Sequence, residues 1–194
     1  MSTELFNEIL AGNIDKVRTL LQGGADCNAL NDEGATALML AAGAGNLKMV
    51  VLLIESGANV NAADALGWTA LMKSVFNHEL NRGFPEIANA LIAAGADIET
   101  RIGYAVRPLM LAAGYGEAGV VEVLLAAGAD VRAENEGGRT ARMMAEAKDY
   151  VEVVNQLYQA EVSSGNSLKG ACATGPSSGA TTAKVVNFIR NPNR

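Results

Sequence analysis

The sequence predicts an all-α solenoid built from five helix-turn-helix units, with hairpin-like loops joining one unit to the next. The pattern Gly-x-Thr-Ala-Leu-Met at residues 34–39 recurs at 67–72, a step of 33 residues, and such periods are typical of stacked repeats. Apolar residues make up 49% of the chain but aromatic residues only 5%, which favours helices rich in alanine and leucine that pack closely. A length of 194 residues is enough for one domain with a substantial core.

Charge and cysteine content exclude several classes of protein. The formal net charge of −6 repels phosphate backbones, so we expect no nucleic-acid binding. The first residues carry acids rather than the lysines of a secretory signal, and no apolar run is long enough for a membrane span, so we predict a cytoplasmic location. Cys27 takes a position that is apolar in other units, so we expect a buried thiol and no disulfide with Cys172.

The first two units differ in a way that predicts a terminal cap followed by an inner repeat. Residues 1–29 start without a hairpin, and their first helix has polar residues where inner units have leucine and alanine, which predicts an N-terminal cap. In residues 30–62, Thr36 is placed to cap the first helix. Gly43 and Gly45 then form the turn, and Gly57 ends the second helix.

The third and fourth units each depart once from this pattern. In residues 63–100 the second glycine motif comes five residues late, which places an insertion at His78 to Arg82 between the two helices. Either a drifted surface loop or a dedicated contact loop explains it. In residues 101–133, Arg107 replaces the capping threonine, and Pro108 is preorganised to start the helix.

The fifth unit, residues 134–160, predicts a C-terminal cap with a polar outer face, because Arg142 replaces a leucine and Asp149 replaces a glycine. Residues 161–194 are rich in Gly, Ser and Thr, and we predict a flexible, disordered tail. Its segment Thr182 to Arg190 is apolar enough for a short helix. The tail is basic and the repeats are acidic, so docking on the body or on a partner stays open.

No residue pattern in the chain predicts catalysis or a metal site. His78 is the only histidine, and no nucleophile has a base at a recognisable spacing. A row of equivalent methionines, Met39, Met72, Met110 and Met143, suggests a copper(I) site only at first sight. Packed helices lie about 10 Å apart, so four such sulfurs cannot converge on one ion, and we predict core fillers. We expect no cofactor.

These repeated motifs resemble the ankyrin repeat, whose pattern is G-x-T-P-L-H-x-A-A-x-x-G followed by an apolar helix and G-A-D-V-N. The resemblance covers about 160 of the 194 residues. It implies a monomer that binds another protein through its concave face and hairpin tips. Carried over position by position, it implies contacts by Glu33, Ala35, Leu66, Trp68, Phe76, Asn77, Tyr104, Val106, Tyr115 and Arg139.

The aromatic members of this set favour a binding patch, because aromatic anchors are typical of protein hot spots. For Trp68 and Phe76 taken singly, internal packing over a hairpin or over the inserted loop explains the residue equally well. The functional prediction is non-catalytic protein binding. Alternatives are a regulatory or inhibitory subunit of an enzyme, a small-molecule or metal binder, and, more weakly, membrane attachment through the tail.

Overall fold

The structure is a computed structural model that describes residues 2–77 and 80–169, and this part of the chain forms ten α-helices in five successive pairs. Within these ranges the chain has no β-strand, only isolated β-bridges in the loops. The all-α repeat solenoid is confirmed. The helices are α1 (Ser2–Leu10), α2 (Ile14–Gln22), α3 (Ala37–Gly43), α4 (Leu47–Glu55), α5 (Ala70–Val75), α6 (Pro85–Ala93), α7 (Pro108–Tyr115), α8 (Ala118–Ala126), α9 (Ala141–Glu146) and α10 (Val151–Lys169).

The helices lie in two rows. The first helix of each pair packs against the first helix of the next, from α1 through α9, and the second helices form a parallel row from α2 through α10. The core lies between the rows, where Leu38, Leu53, Leu71 and Leu124 are fully buried. Each pair therefore buries its apolar face against its neighbours, as in other solenoids.

Threonine caps begin three of the first-row helices. The hydroxyls of Thr36, Thr69 and Thr140 accept hydrogen bonds from the backbone N–H three residues on, at 3.3 to 3.4 Å. The prediction for Thr36 is confirmed. At the start of α7 the Arg107 side chain makes no such bond, and Pro108 takes the first helical position, where its missing N–H costs nothing.

Polar side chains also link each unit to the next. Asn28 accepts a hydrogen bond from the backbone N–H of Asn59 at 2.7 Å, and Asn61 accepts one from Asp97 at 2.8 Å. Glu99, at the equivalent position of the third unit, accepts one from the N–H of Asp130 at 2.8 Å. These bonds satisfy loop donors that the helices leave unpaired, and they hold consecutive units in one register.

The five added residues of the third unit lie between α5 and α6, as predicted. Asn77 and Arg82 pair through both backbone hydrogen bonds, at 2.8 and 3.3 Å, and close the loop at its base. His78 and Glu79 lie outside the described residues.

Helix α10 runs past residue 160, where the sequence predicts the end of the repeats, and continues to Lys169. Arg142 Nε donates to both carboxylate oxygens of Glu161, at 3.1 and 3.0 Å, and Arg132 donates to the Glu161 carbonyl oxygen at 3.0 Å. This contact between distant residues offsets the low helix propensity of the Ser-rich sequence. The rest of the predicted disordered tail, with its proposed helix at Thr182 to Arg190, lies outside the described residues.

The predictions that Cys27 and the four equivalent methionines are buried have different outcomes. Cys27 is buried, as predicted, and its thiol donates to the Ser56 carbonyl oxygen at 3.4 Å. Met39, Met72 and Met110 are buried core fillers, but Met143 is 45% exposed. Within the described chain no further helix packs on the outer side of α9, so the prediction was wrong for this methionine.

The hairpin of the fourth unit has an unfavourable backbone. The equivalent turns of units two, three and five place Gly34, Gly67 and Gly138 in the left-handed region, with φ of +76°, +82° and +69°. The fourth turn, a short 3-10 helix at Gly103–Ala105, places Ala105 there with φ of +56°. An alanine Cβ is crowded in this conformation, whereas glycine is not.

We therefore expect Ala105→Gly to raise the free energy of unfolding by about 1 kcal/mol. Urea unfolding followed by circular dichroism measures the change. Ala127→Gly is the matched control, because Ala127 is exposed with an ordinary φ of −77°, and there glycine should lower stability by about 0.5 to 1 kcal/mol. Equal shifts in the two variants would contradict the interpretation.

Candidate protein-binding groove

A groove of about 440 Å³ opens along the first-row helices α3, α5 and α7. Its walls come from four consecutive units, of which the first contributes Leu10, so no single repeat contains the site. The lining residues are Leu10, Glu33, Ala35, Met39, Leu40, Gly43, Ala44, Trp68, Met72, Lys73, Phe76, Asn77, Leu111 and Tyr115. Most of these side chains are apolar, as is usual for concave binding sites.

A stacked aromatic pair forms one end of this groove. The rings of Phe76 and Tyr115 have centroids 4.4 Å apart and are nearly parallel, with 2° between their planes. Phe76 follows the last residue of α5, and its extended backbone, with φ of −155°, leads into the inserted loop. Because the pair joins the third and fourth units, stacking holds both half-buried rings at the groove.

Trp68 is held in place by a charged pair. Lys73 Nζ lies 5.0 Å from the centroid of the Trp68 ring and 3.3 Å from the Asp64 carboxylate. The other oxygen of Asp64 accepts the backbone N–H of Leu66 at 3.0 Å and of Trp68 at 2.9 Å. The hairpin and helix α5 are thus joined through Lys73, and the indole is preorganised beside a cation.

Six of the predicted contact residues line the groove, and four do not. Glu33, Ala35, Trp68, Phe76, Asn77 and Tyr115 lie in its walls. Leu66, Tyr104, Val106 and Arg139 lie outside them, on the hairpin loops. Leu66 and Tyr104 are 75% and 78% exposed at the hairpin tips, so any role they have in binding is separate from filling the groove.

Ala35 and Asn77 are less available to a partner than the sequence predicts. Ala35 is buried, because its small side chain packs against the core between the hairpin and α3. The Asn77 amide donates to the Gly43 carbonyl oxygen at 2.8 Å and accepts the Leu80 N–H at 2.7 Å. Its polar atoms therefore join the inserted loop to the preceding unit rather than facing an open surface.

Sequence reasoning missed the middle of the groove. Leu40, Lys73 and Leu111 lie at one equivalent repeat position, at steps of 33 and 38 residues, and all three line it. The signal was present, since this position lies one helical turn before the Gly43 and Phe76 position and so shares its face.

The inserted loop forms a wall of a second groove, also of about 440 Å³. Leu47 and Leu80 are exposed on its sides, and Phe84 is buried in its wall. The Arg82 guanidinium lies 5.4 Å from the Phe84 ring centroid, which holds the loop against α6. The loop thus packs on its own unit, and whether it also contacts a partner stays a prediction.

Cys27, the free cysteine among the described residues, is poorly suited to act as a nucleophile. Burial raises the pKa of the Cys27 thiol, and the neighbouring Asp26 charge raises it further, so the sulfur is a poor nucleophile at neutral pH.

No group of three or more His, Cys, Asp or Glu side chains within residues 2–77 and 80–169 is arranged to hold a metal ion. Over the same ranges, no helix combines the length and apolar character needed to cross a bilayer.

Comparison with known families agrees with the repeat architecture. A family model described as ankyrin repeats (3 copies) matches residues 5–102 and 81–166, and together these matches cover most of the chain. No curated protein matches the sequence.

Proposed function

The chain belongs to the ankyrin repeat family, and from this premise we propose that it is a non-catalytic module that binds a partner protein in the groove along α3, α5 and α7. Ankyrin repeats generally serve as protein-protein interaction modules. The observation that carries the proposal is the set of three aromatic residues, Trp68, Phe76 and Tyr115, on the walls of one groove.

The groove suits an apolar segment of the partner. Trp68 is held by Lys73, and the Phe76 and Tyr115 rings are stacked, so all three have little conformational freedom to lose on binding. Leu40 and Leu111 provide apolar floor between them. Large rigid aromatic side chains around a concave apolar floor are what binding hot spots commonly contain.

The charge of the repeats favours basic residues beside that apolar segment. Residues 1–169 hold 12 basic and 21 acidic residues. Lys73 is the lysine in the groove wall, and Asp64 pairs with it, while Glu33 is exposed at the rim. A cationic flank on the partner would associate faster at low salt, because complementary charge steers diffusional encounter.

Affinity capture from native extract tests the proposal with two matched double variants. Trp68→Ala with Tyr115→Ala removes groove aromatics, whereas Leu30→Ala with Val151→Ala removes exposed apolar side chains elsewhere. We expect the intact protein and the second variant to retain the same partner. Calorimetry with that partner should show binding to the groove variant weakened by about 30-fold or more, the effect of losing a hot spot.

Circular dichroism checks that both variants remain folded. Equal retention of the same proteins by all three forms would exclude the groove as the contact surface. The purified partner also distinguishes a passive scaffold from a regulatory or inhibitory subunit. If the partner is an enzyme and its activity changes when the chain is added, the chain is a regulatory or inhibitory subunit. Unchanged activity favours a passive scaffold.

A further inference from the structure

The outer side of the last helix pair exposes three apolar side chains. Met143 on α9 is 45% exposed, and Tyr158 and Val162 on α10 are 54% and 44% exposed. Tyr158 and Val162 are four residues apart and so share one face of α10. We call these three residues the end face. The sequence predicts a polar outer surface for this last unit, and the end face is an apolar part of that surface.

In earlier units, the residues equivalent to Met143 and Tyr158 pack against the core. The equivalents of Met143, which are Met39, Met72 and Met110, are buried. The equivalents of Tyr158, which are Ile54, Ile92 and Leu125, are partly buried and pack on the core. Val162 has no equivalent there, because α4, α6 and α8 end before its position. In those units the following helix pair stacks on the same side. The end face is thus an inner surface that the described residues leave uncovered.

We propose that residues 182–190 of this chain cover the end face. This segment, Thr-Ala-Lys-Val-Val-Asn-Phe-Ile-Arg, has apolar residues at 185, 186, 188 and 189. Spacings of one, three and four residues place them on one side of a helix, as in the second-row helices that cover the earlier units. The contact buries apolar surface that both parts would otherwise expose to water.

The residues between α10 and the proposed segment are numerous enough to let the segment reach the end face. Twelve residues separate Lys169 from Thr182, and an extended chain of that length spans up to about 40 Å. Helices in contact lie only about 10 Å apart. Because the segment follows α10, which carries two of the end-face residues, binding is intramolecular and benefits from a high effective concentration.

Charge favours this segment over a second copy of the chain. Residues 170–194 contain three basic residues and no acidic residue, and Lys184 and Arg190 flank the apolar run. The last helix pair exposes Glu146, Asp149 and Glu152, while Arg142 is already paired with Glu146 and Glu161. The opposing charges are Lys148 and Arg139, which are exposed, and Arg132, which donates to the Glu161 carbonyl oxygen. Two acidic repeat bodies meeting end to end would repel each other.

Amide hydrogen exchange of the full chain tests this contact in four forms. These are the intact protein, Tyr158→Asp with Val162→Asp, Phe188→Asp, and Leu30→Asp as a control at an exposed apolar residue far from the end face. We expect residues 182–190 to exchange at least about tenfold more slowly than an unstructured chain in the intact and control proteins. Both other forms should lose that protection.

Three results would overturn the proposal. The first is unprotected exchange of residues 182–190 in the intact protein. The second is protection that survives the end-face substitutions; loss of that protection in a fifth form, Trp68→Ala, would place the segment in the groove. The third is a concentration-dependent dimer in light scattering that Tyr158→Asp abolishes, which would make a second copy the occupant. Circular dichroism checks the fold, and Phe188→Asp lies outside the repeats, so it tests the contact even if the end-face variant is destabilised.

Discussion

Replacing Gly83 with alanine is expected to lower the free energy of unfolding by about 3 kcal/mol, at the upper end of the range for overpacked cores. A Cβ at Gly83 would overlap the Val75 carbonyl oxygen and lie 2.9 Å from Val120 Cγ2. The backbone cannot easily move aside, because the adjacent Phe84 N–H donates to the Ser74 carbonyl oxygen at 2.9 Å. Gly83 is thus needed where the inserted loop crosses the end of α5.

Urea unfolding measures this effect, and Gly114→Ala is the matched control. Gly114 lies in α7, has an ordinary φ, and has no atom within 4 Å of a built Cβ. Alanine there should raise stability by about 0.5 to 1 kcal/mol, because glycine is unfavourable inside a helix. A loss below about 1 kcal/mol for Gly83→Ala would mean that the loop relaxes around the new methyl group.

The Gly83 substitution also bears on the groove. Phe76 and Asn77 begin the loop that Gly83 ends, and the Asn77 amide ties this loop to the Gly43 carbonyl oxygen. A loop displaced by the methyl group would pull Phe76 away from Tyr115. We therefore attribute the conformation of the aromatic pair to the insertion, although neither aromatic residue is among the five added residues.

The features that the sequence predicts well are those that one repeat contains. Thr36 and Pro108 begin helices because capping depends on the residue and its nearest backbone neighbours. The insertion falls between two helices because glycine spacing marks their ends. The buried methionines of the inner units follow from a position on a helix face, which the period defines.

The features that sequence reasoning missed depend on contacts between units. The groove combines residues of four repeats, and Lys73 is part of it only through the stacking of α3, α5 and α7. The extension of α10 rests on Arg142 and Glu161, which are 19 residues apart. Met143 has the sequence position of a core residue, and only the absence of a described neighbour on its outer side exposes it.

Substitutions at one repeat position should cost very different amounts of stability in the middle and the last units. We expect Leu71→Ala to lower the free energy of unfolding by about 3 kcal/mol, because its side chain is fully buried and alanine leaves a cavity. Arg142 holds the equivalent position, is about one-third exposed and pairs with Glu146 and Glu161. Arg142→Ala should cost about 1 kcal/mol or less, since water screens such pairs.

Urea unfolding of both variants distinguishes the two environments. The quantities compared are the midpoint and the slope of the free energy of unfolding against urea concentration. Because each unit is stabilised mainly by its neighbours, loss of Leu71 weakens the contacts of α5 with both α3 and α7. Loss of Arg142 affects only the last pair and should loosen α10 near Glu161 first. If Arg142→Ala proved as costly as Leu71→Ala, the ion pairs of Arg142 with Glu146 and Glu161 would contribute far more to stability than partly exposed pairs usually do.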